Sequence, residues 1–528
     1  MTNKFFNCGS GNICFYDAEL REWRELDYIE IEDGIFKRIK SSDLNLNSKH
    51  NQYILPGFID AHCHLLENPY PCDKDGDGRS LASIALNNAL VASKNGITSL
   101  KDMGGYEYRV LEIIKMLANF KVPRLFSSGC YFTVKHGHCS DHGAIEINDM
   151  NEFICGMQPL IDNNVHFCKI INSDNGFPID LLTRMIEYAH DQEMVVSCHA
   201  YTEKAALDAV LAGTDTLEHA GNYSEELLNL IKEKDVIIVP TYVAAYDSTL
   251  ENCEGMSDIN ESVLKEWADG ENIVIPKLFK QHLRVALGTD SGFLGTPCDS
   301  LLREIGLIHN IFGISIHELL YSAFITTPAT VGMTKKLGKI SEGYYADFVC
   351  YNENPVDNLQ VLLKPKEVWI GGKRVDNLIE KQIKIRRIRT TDIERISLYM
   401  SNYYFNCAEL DDFWTSDEIM AWVTDMNDYC TGAFIGDEFV GFCLTHYHAT
   451  ANKVYLENIF VQEQFRRQGI AQYLIFDMIS YYREMNQKIR FVGLVDVKNE
   501  ASIVLCKKNG FVKGHPMYWM QYNAYEKI

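Results

Sequence analysis

Residues 53–65 read YILPGFIDAHCHL. Its first part, YILPGFID (53–60), is an apolar, β-prone strand candidate, and two histidines, His62 and His64, follow it. Side chains at i and i+2 of a strand point to the same side, so the two imidazoles can act together. Seven further short runs of this kind follow: ITSLKDM (97–103), RLFSSGC (124–130), HFCKIIN (166–172), MVVSCHA (194–200), TLEHA (216–220), VIIVPTY (236–242) and VALGTD (285–290). Between them lie stretches such as DLLTRMIEYAHDQ (180–192), with apolar residues at helical spacing. Eight strands alternating with helices predict an α/β fold, a parallel sheet closed into a (β/α)8 barrel over residues 56–334.

Both flanks of the barrel differ from it. Residues 1–55 and 335–380 are strand-like, with turns at Asp33-Gly34, Ser341–Gly343 and Gly371-Gly372. They are expected to pair into one small composite β-sandwich built from the two sides of the barrel. Around 382–389 the chain turns basic and polar, and a third pattern begins. The boundary is placed near 380–386, with a separate domain over 386–528.

Composition bounds the function. The chain has 528 residues, room for two to four domains, and a formal net charge of −22. A chain this acidic repels phosphates and is a poor nucleic-acid binder. The acidity is uneven: from Arg386 onward there are 15 Lys and Arg against 18 Asp and Glu, leaving about −19 to the first 385 residues. Apolar runs such as VIIVP fall far short of the ~20 residues of a membrane span. MTNKFFNCGSGN lacks the apolar region of a signal peptide. The 16 cysteines show no C-x-x-C pair, so they read as reduced thiols of a cytoplasmic protein. Small-molecule substrates are the expected partners, and a homo-oligomer is left open.

Several predicted strands end in a group able to bind a metal: His62 and His64, Lys169, His199, His219 and Asp290. In a barrel of this type the active site forms at the C-terminal ends of the strands. Imidazole and carboxylate ligands suit zinc, iron, manganese or nickel. Taken singly, each of these residues is explained as core or surface; their joint occurrence at strand ends, in order, is the specific signal. Lys169 stands inside the apolar run NVHFCKIIN (164–172), where an unpaired lysine is rarely buried. Its alternative is a place on the barrel surface, stem packed and head solvated. His166 and Cys168 form a rival ligand pair, which strand alternation would aim away from the centre if Lys169 points in. DKDGDGRSLASI, from Asp73, starts like a calcium loop, but Ile84 falls where that loop needs a bidentate Glu, so it reads as a polar loop over the barrel mouth.

GFIDAHCHL, GTDSG (288–292) and GKISEGYYADFV (338–349) resemble the metal-dependent amidohydrolase superfamily of TIM barrels, in its imidazolonepropionase-like and prolidase-like branch. The resemblance covers roughly residues 1–380 and includes ITSLKDMGG. It implies two divalent ions, zinc being the first choice, bridged by carboxylated Lys169. His62, His64 and Asp290 would hold one ion and His199 and His219 the other. Asp290 would also be the catalytic proton carrier, and His138 in KHGHCSDHG would face the substrate. A buried lysine beside cations favours its neutral amine, the form that adds CO2. The implied reaction is hydrolysis of an amide-type C–N bond in an acylamino acid, dipeptide or cyclic amide.

In the last domain, VYLENIFVQEQFRRQGIAQYLIFDMISYY (454–482) reads as a strand, a loop and an amphipathic helix. Arg466, Gly469 and Ala471 lie where helix N–H groups attract phosphate. NEASIVLCKKNGF (499–511) follows. Together these resemble the GCN5-related N-acetyltransferase (GNAT) fold, which implies acetyl-CoA as cofactor and transfer to a small amine. The carried-over residues are Arg466, Gly469, Ala471 and Asn499 for the cofactor and Glu457 as a base or water-binding residue. The family's tyrosine, which protonates the departing thiolate, is replaced by Cys506. The expected protein is therefore bifunctional, a binuclear amidohydrolase fused to an acetyltransferase. The alternative is an active amidohydrolase carrying a non-catalytic, acetyl-CoA-sensing module.

Overall fold

The strand predicted over 53–60 is not one strand. Gln52–Pro56 belongs to a sheet outside the barrel, and Phe58–Cys63 is the first barrel strand. The break is Gly57, whose N–H donates to the Asp347 carbonyl (2.9 Å). A Cβ at Gly57 would stand 2.1 Å from Thr98 Oγ1, so the chain passes between the two sheets only where no side chain exists.

The computed structural model describes residues 4–7, 13–43, 50, 52–67, 80–106, 108–118, 120–140, 143–249, 261–292, 295–375, 383–404, 416–436, 438–486, 488–493, 495 and 499–514. The chain divides into two compact units, residues 1–77 with 81–380, and residues 78–80 with 381–528.

In the first unit, Phe58–Cys63, Ile97–Asp102 and Arg124–Ser127 pair in parallel. A second parallel run orders Ile145–Ile147, Tyr131–Val134, Phe167–Ile171, Val195–His199, Thr216–Glu218 and Ile237–Val239. The predicted eighth strand, VALGTD, is not a regular strand. It closes the barrel by single bonds: Ala286 N–H to the Ile238 carbonyl (2.9 Å), Ala61 N–H to Leu287 (2.9 Å) and His64 N–H to Ser291 (2.7 Å). Phe58–Cys63 and Ile97–Asp102 are buried at every position, because one face lines the barrel and the other is covered by helices. Helices start at side-chain caps: Asp149, Thr202 and Ser224 each accept from backbone N–H groups of the first turn.

The flanking segments share one eight-stranded sheet. Gln52–Pro56 lies between Ile13–Asp17, parallel, and Phe348–Tyr351, antiparallel. Phe15, Phe36, Phe348 and Trp369 are buried in its core, the last two with rings stacked at 5.5 Å. Arg124 reaches Asp347 at 2.6 Å, tying a barrel strand to this sheet.

The second unit holds a five-stranded sheet ordered Ile383–Arg387, Thr431–Ile435, Glu438–His448, Lys453–Val461 and Arg490–Gly493. Only the last pair is parallel. Phe442 and Leu444 pack with Ile393, Ile396 and Ile419 of two helices, Ile393–Tyr404 and Ser416–Thr424. Thr445 and Tyr447 face Tyr482 of Ile470–Met485 on the other side.

Gly57→Ala is expected to destabilise the first unit by about 1–3 kcal/mol through overpacking against Thr98. Urea unfolding followed by tryptophan fluorescence checks this, with a midpoint lower than that of the unaltered chain.

Candidate active site

The C-terminal ends of the barrel strands gather the histidines. Ring centroids form a chain: His64 to His62 at 5.5 Å, His62 to His219 at 4.9 Å, His219 to His199 at 4.6 Å and His199 to His138 at 4.8 Å. His62 and His64 come from one strand, two residues apart, as alternation requires. Asp290 comes from the closing segment, which the Asp290 N–H to His62 carbonyl bond (2.8 Å) holds against that strand.

His62 Nδ1 lies 2.7 Å from Glu218 Oε2, and its Nε2 lies 3.2 Å from Asp290 Oδ1. His64 Nε2 approaches the same oxygen at 3.1 Å. With the Nδ1 proton given to Glu218, Nε2 of His62 presents a lone pair to a carboxylate. Two electron-pair donors at that distance need a proton or a cation between them. Ligand atoms of His62, His64 and Asp290 all fall within 4.8 Å of one another, close enough to share one ion. The residue set fits a divalent metal.

Lys169 sits on Phe167–Ile171 and is 1% exposed, and its Nζ has no hydrogen-bond partner among the described residues. Burial pushes its pKa below the ordinary lysine value, and Lys101 adds to this against the attraction of Glu218. His199 Nε2 is likewise buried without a hydrogen-bond partner among the described residues. Burial, and after it His219, His138 and Lys169, hold His199 well below the ordinary histidine value. Burial does the same to His219, whose Nδ1 lies 2.8 Å from Thr241 Oγ1. Neutral imidazoles and a neutral amine are the forms that can coordinate a metal or add CO2. His219 (φ +70°), Asp290 (φ +54°) and Thr241 (φ +58°) all occupy the left-handed region, which costs non-glycine residues energy and clusters at functional sites.

Cys168 is buried on the barrel side opposite Lys169, and His166 accepts from the Ser127 N–H (3.2 Å) with its ring against Phe126. Neither joins the histidine chain. The DKDGDG loop lies outside the described residues.

Several residues of the site escaped the sequence reading. Lys101 Nζ donates to Ser197 Oγ (2.8 Å) and pairs with Glu218 Oε1 (3.0 Å), which also accepts from Thr216 Oγ1 (2.6 Å). Lys101 and Glu218 are both fully buried. Burial alone would raise the Glu218 pKa, but Lys101 and His62 outweigh it and hold the carboxyl well below the usual range. The alternation that singled out Lys169 also applies to ITSLKDM and TLEHA, and would have turned both residues inward.

In the second unit, Arg466, Gly469 and Ala471 stand around the N-terminus of the Ile470–Met485 helix. Gly469 has φ +81° and open space about its Cα, and Arg466 Nε donates to the Val461 carbonyl (3.0 Å). Asn499 caps the Glu500–Lys508 helix, accepting from the Ser502 N–H (3.0 Å). Cys506 lies on that helix, part-buried, and burial pushes its thiol up. Glu457 is the extra residue of a β-bulge, since Leu444 pairs with Asn458 and Thr445 with Leu456. It is part-buried, which raises its pKa; His446 and His448 oppose that shift and Asp428 supports it.

The comparisons agree with this architecture. The Amidohydrolase family matches residues 53–375, and the chain belongs to that family. The Acetyltransferase (GNAT) family matches residues 394–511, so the second unit carries a GNAT domain. An ochratoxinase of Aspergillus niger is 26% identical over 364 residues, 61% of this chain and 75% of the relative. An imidazolonepropionase of Legionella pneumophila is 22% identical over 372 residues, 62% of this chain and 85% of the relative. Among solved structures, a Xaa-Pro dipeptidase with bound methionine superposes with a TM-score of 0.61 at 19% identity, covering 71% of this chain and 99% of the other. Such a likeness carries the TIM-barrel fold of the first part, and the two family matches make the chain an amidohydrolase barrel followed by a GNAT domain.

Glu218→Gln is expected to weaken divalent metal binding about 10–100-fold, because the outer partner of His62 loses its charge. Chelator competition, with circular dichroism to confirm the fold, measures it.

Proposed function

We propose that the first unit is a binuclear metal-dependent hydrolase of amide-type C–N bonds in acylamino acids, dipeptides or cyclic amides. The observation that carries this reading is Lys169 Nζ, buried without a hydrogen-bond partner among the described residues, beside His199 and His219, whose pKa values burial holds well below the ordinary histidine value. His62, His64 and Asp290 would hold one ion, His199 and His219 the other, and Lys169, carboxylated on Nζ, would bridge them. Bound there, divalent ions such as zinc supply a Lewis acid and lower the pKa of water. Asp290 takes the proton of the attacking water and delivers it to the leaving nitrogen. Glu218 and Thr241 hold the rings of His62 and His219. His138, exposed and with its ring tilted against His199, faces the substrate. The relatives' names, ochratoxinase and imidazolonepropionase, support a hydrolase without naming the substrate here. A cytoplasmic setting belongs to this reading, supported by 16 cysteines without a C-x-x-C pair.

Metal analysis and a screen of N-acyl amino acids and dipeptides on wild type and Lys169→Ala test the reading. Two ions per chain in the wild type and at least about 100-fold loss of activity in the variant are expected. Unchanged activity in Lys169→Ala would defeat the bridging role.

For the second unit we propose acetyl transfer from acetyl-CoA to a small amine. The 466–471 loop receives the pyrophosphate on helix N–H groups, and Asn499 lies on the cofactor side. Glu457 on the bulge holds the incoming amine or its water, and Cys506 is the proton donor to the departing thiolate. A non-catalytic, acetyl-CoA-sensing module is the second reading, favoured by the cysteine at the tyrosine position. Both readings expect calorimetry to detect acetyl-CoA binding, with affinity falling roughly tenfold in Arg466→Ala. Thiol release in the presence of amines separates the two.

A further inference from the structure

We propose that His446, held by Asp428, is the group that takes the proton from the acceptor amine during acetyl transfer. The inference rests on the acetyltransferase reading of the second unit and deepens it. Neither residue stood out in the sequence; the fold brings them together.

Asp428 precedes the Thr431–Ile435 strand, and its side chain is 1% exposed. One carboxylate oxygen accepts from His446 Nδ1 (2.9 Å) and the other from the Tyr447 N–H (2.7 Å). Arg387 donates to the Asp428 carbonyl (3.1 Å), fixing the backbone behind it. A buried carboxylate that takes the Nδ1 proton selects the imidazole tautomer with its lone pair on Nε2. The His446 side chain is 34% exposed, so the ring is accessible from outside while its inner nitrogen is tied down.

The place matters as much as the pair. His446 pairs in register with Tyr455, two positions before the bulge residue Glu457. The neighbouring Arg490–Gly493 strand runs parallel to Lys453–Val461 and pairs Gly493 with Leu456, one residue before the bulge. The titratable groups around His446 are Asp428 on its inner side, His448 on its own strand (ring centroids 4.8 Å apart), and Tyr455 and Glu457 on the next strand. Arg387 approaches through Asp428.

The step balances. The ammonium gives one proton to His446 Nε2. Its freed lone pair forms the C–N bond to the thioester carbonyl carbon. The C–S bond breaks, Cys506 gives its proton to the departing thiolate, and the second nitrogen proton restores Cys506. His446 then releases its proton to solvent. In this scheme His446 is catalytic and Asp428 is a positioning residue.

The full chain is assayed for thiol release from acetyl-CoA with a panel of primary amines: the amino acids, spermidine and tryptamine. Acetyl-CoA binding is measured separately by calorimetry. His446→Ala is expected to lower kcat at least about 100-fold, with acetyl-CoA affinity unchanged and activity partly restored by added imidazole. Asp428→Asn should lower kcat while leaving KM for acetyl-CoA in place. Wild-type activity retained by His446→Ala would overturn the dyad and leave the acetyltransferase reading standing. Wild type that binds acetyl-CoA but acetylates no amine overturns the dyad and favours the sensing module. A chain that binds no acetyl-CoA overturns both.

Discussion

The ion pair between Lys101 and Glu218 organises the interior of the barrel. Both side chains are fully buried, and the pair is only 3.0 Å long. A buried charge is tolerated when its partner and hydrogen bonds are complete, and here Ser197 and Thr216 complete them. Glu218 then has an oxygen left over for His62. The direction in which His62 points its outer nitrogen thus depends on a lysine that would touch no ion. Removing that lysine would leave an anion in the barrel with only neutral donors around it.

Desolvation does the rest. Burial lowers the pKa values of Lys169, His199 and His219, and like charges beside them add to it. Glu218 is held well below the usual carboxylate range because Lys101 and His62 outweigh the burial cost. The overall charge of −22 plays no part in this balance. Local geometry decides it.

Much of this was legible in the sequence, and the limits have physical causes. Strand runs and helical periodicity were enough for the barrel, because period-2 and period-3.6 patterns are carried by single residues. The first run read as one strand where there are two, since only Thr98, a long-range neighbour, shows why Gly57 must interrupt it. VALGTD was visible as a β-prone run, but its bonding to two separate strands by isolated contacts was not. Among the site residues, His62, His64, Lys169, His199, His219 and Asp290 were singled out by type and place. Lys101 and Glu218 were passed over because a lysine and a glutamate in separate runs look like ordinary strand charges until the barrel closes. In the second unit, Glu457 was noted, but the bulge beneath it depends on register, which no local pattern encodes.

The closure of the barrel has a mechanical consequence. Its last segment meets its first strand through scattered hydrogen bonds rather than a continuous ladder. His62 and His64 stand on one side of that seam and Asp290 on the other. An ion shared by these three would act as a rivet across that join. Loss of the ion would then loosen the wall as well as the chemistry, and the fold's resistance to opening would follow the free metal concentration around it.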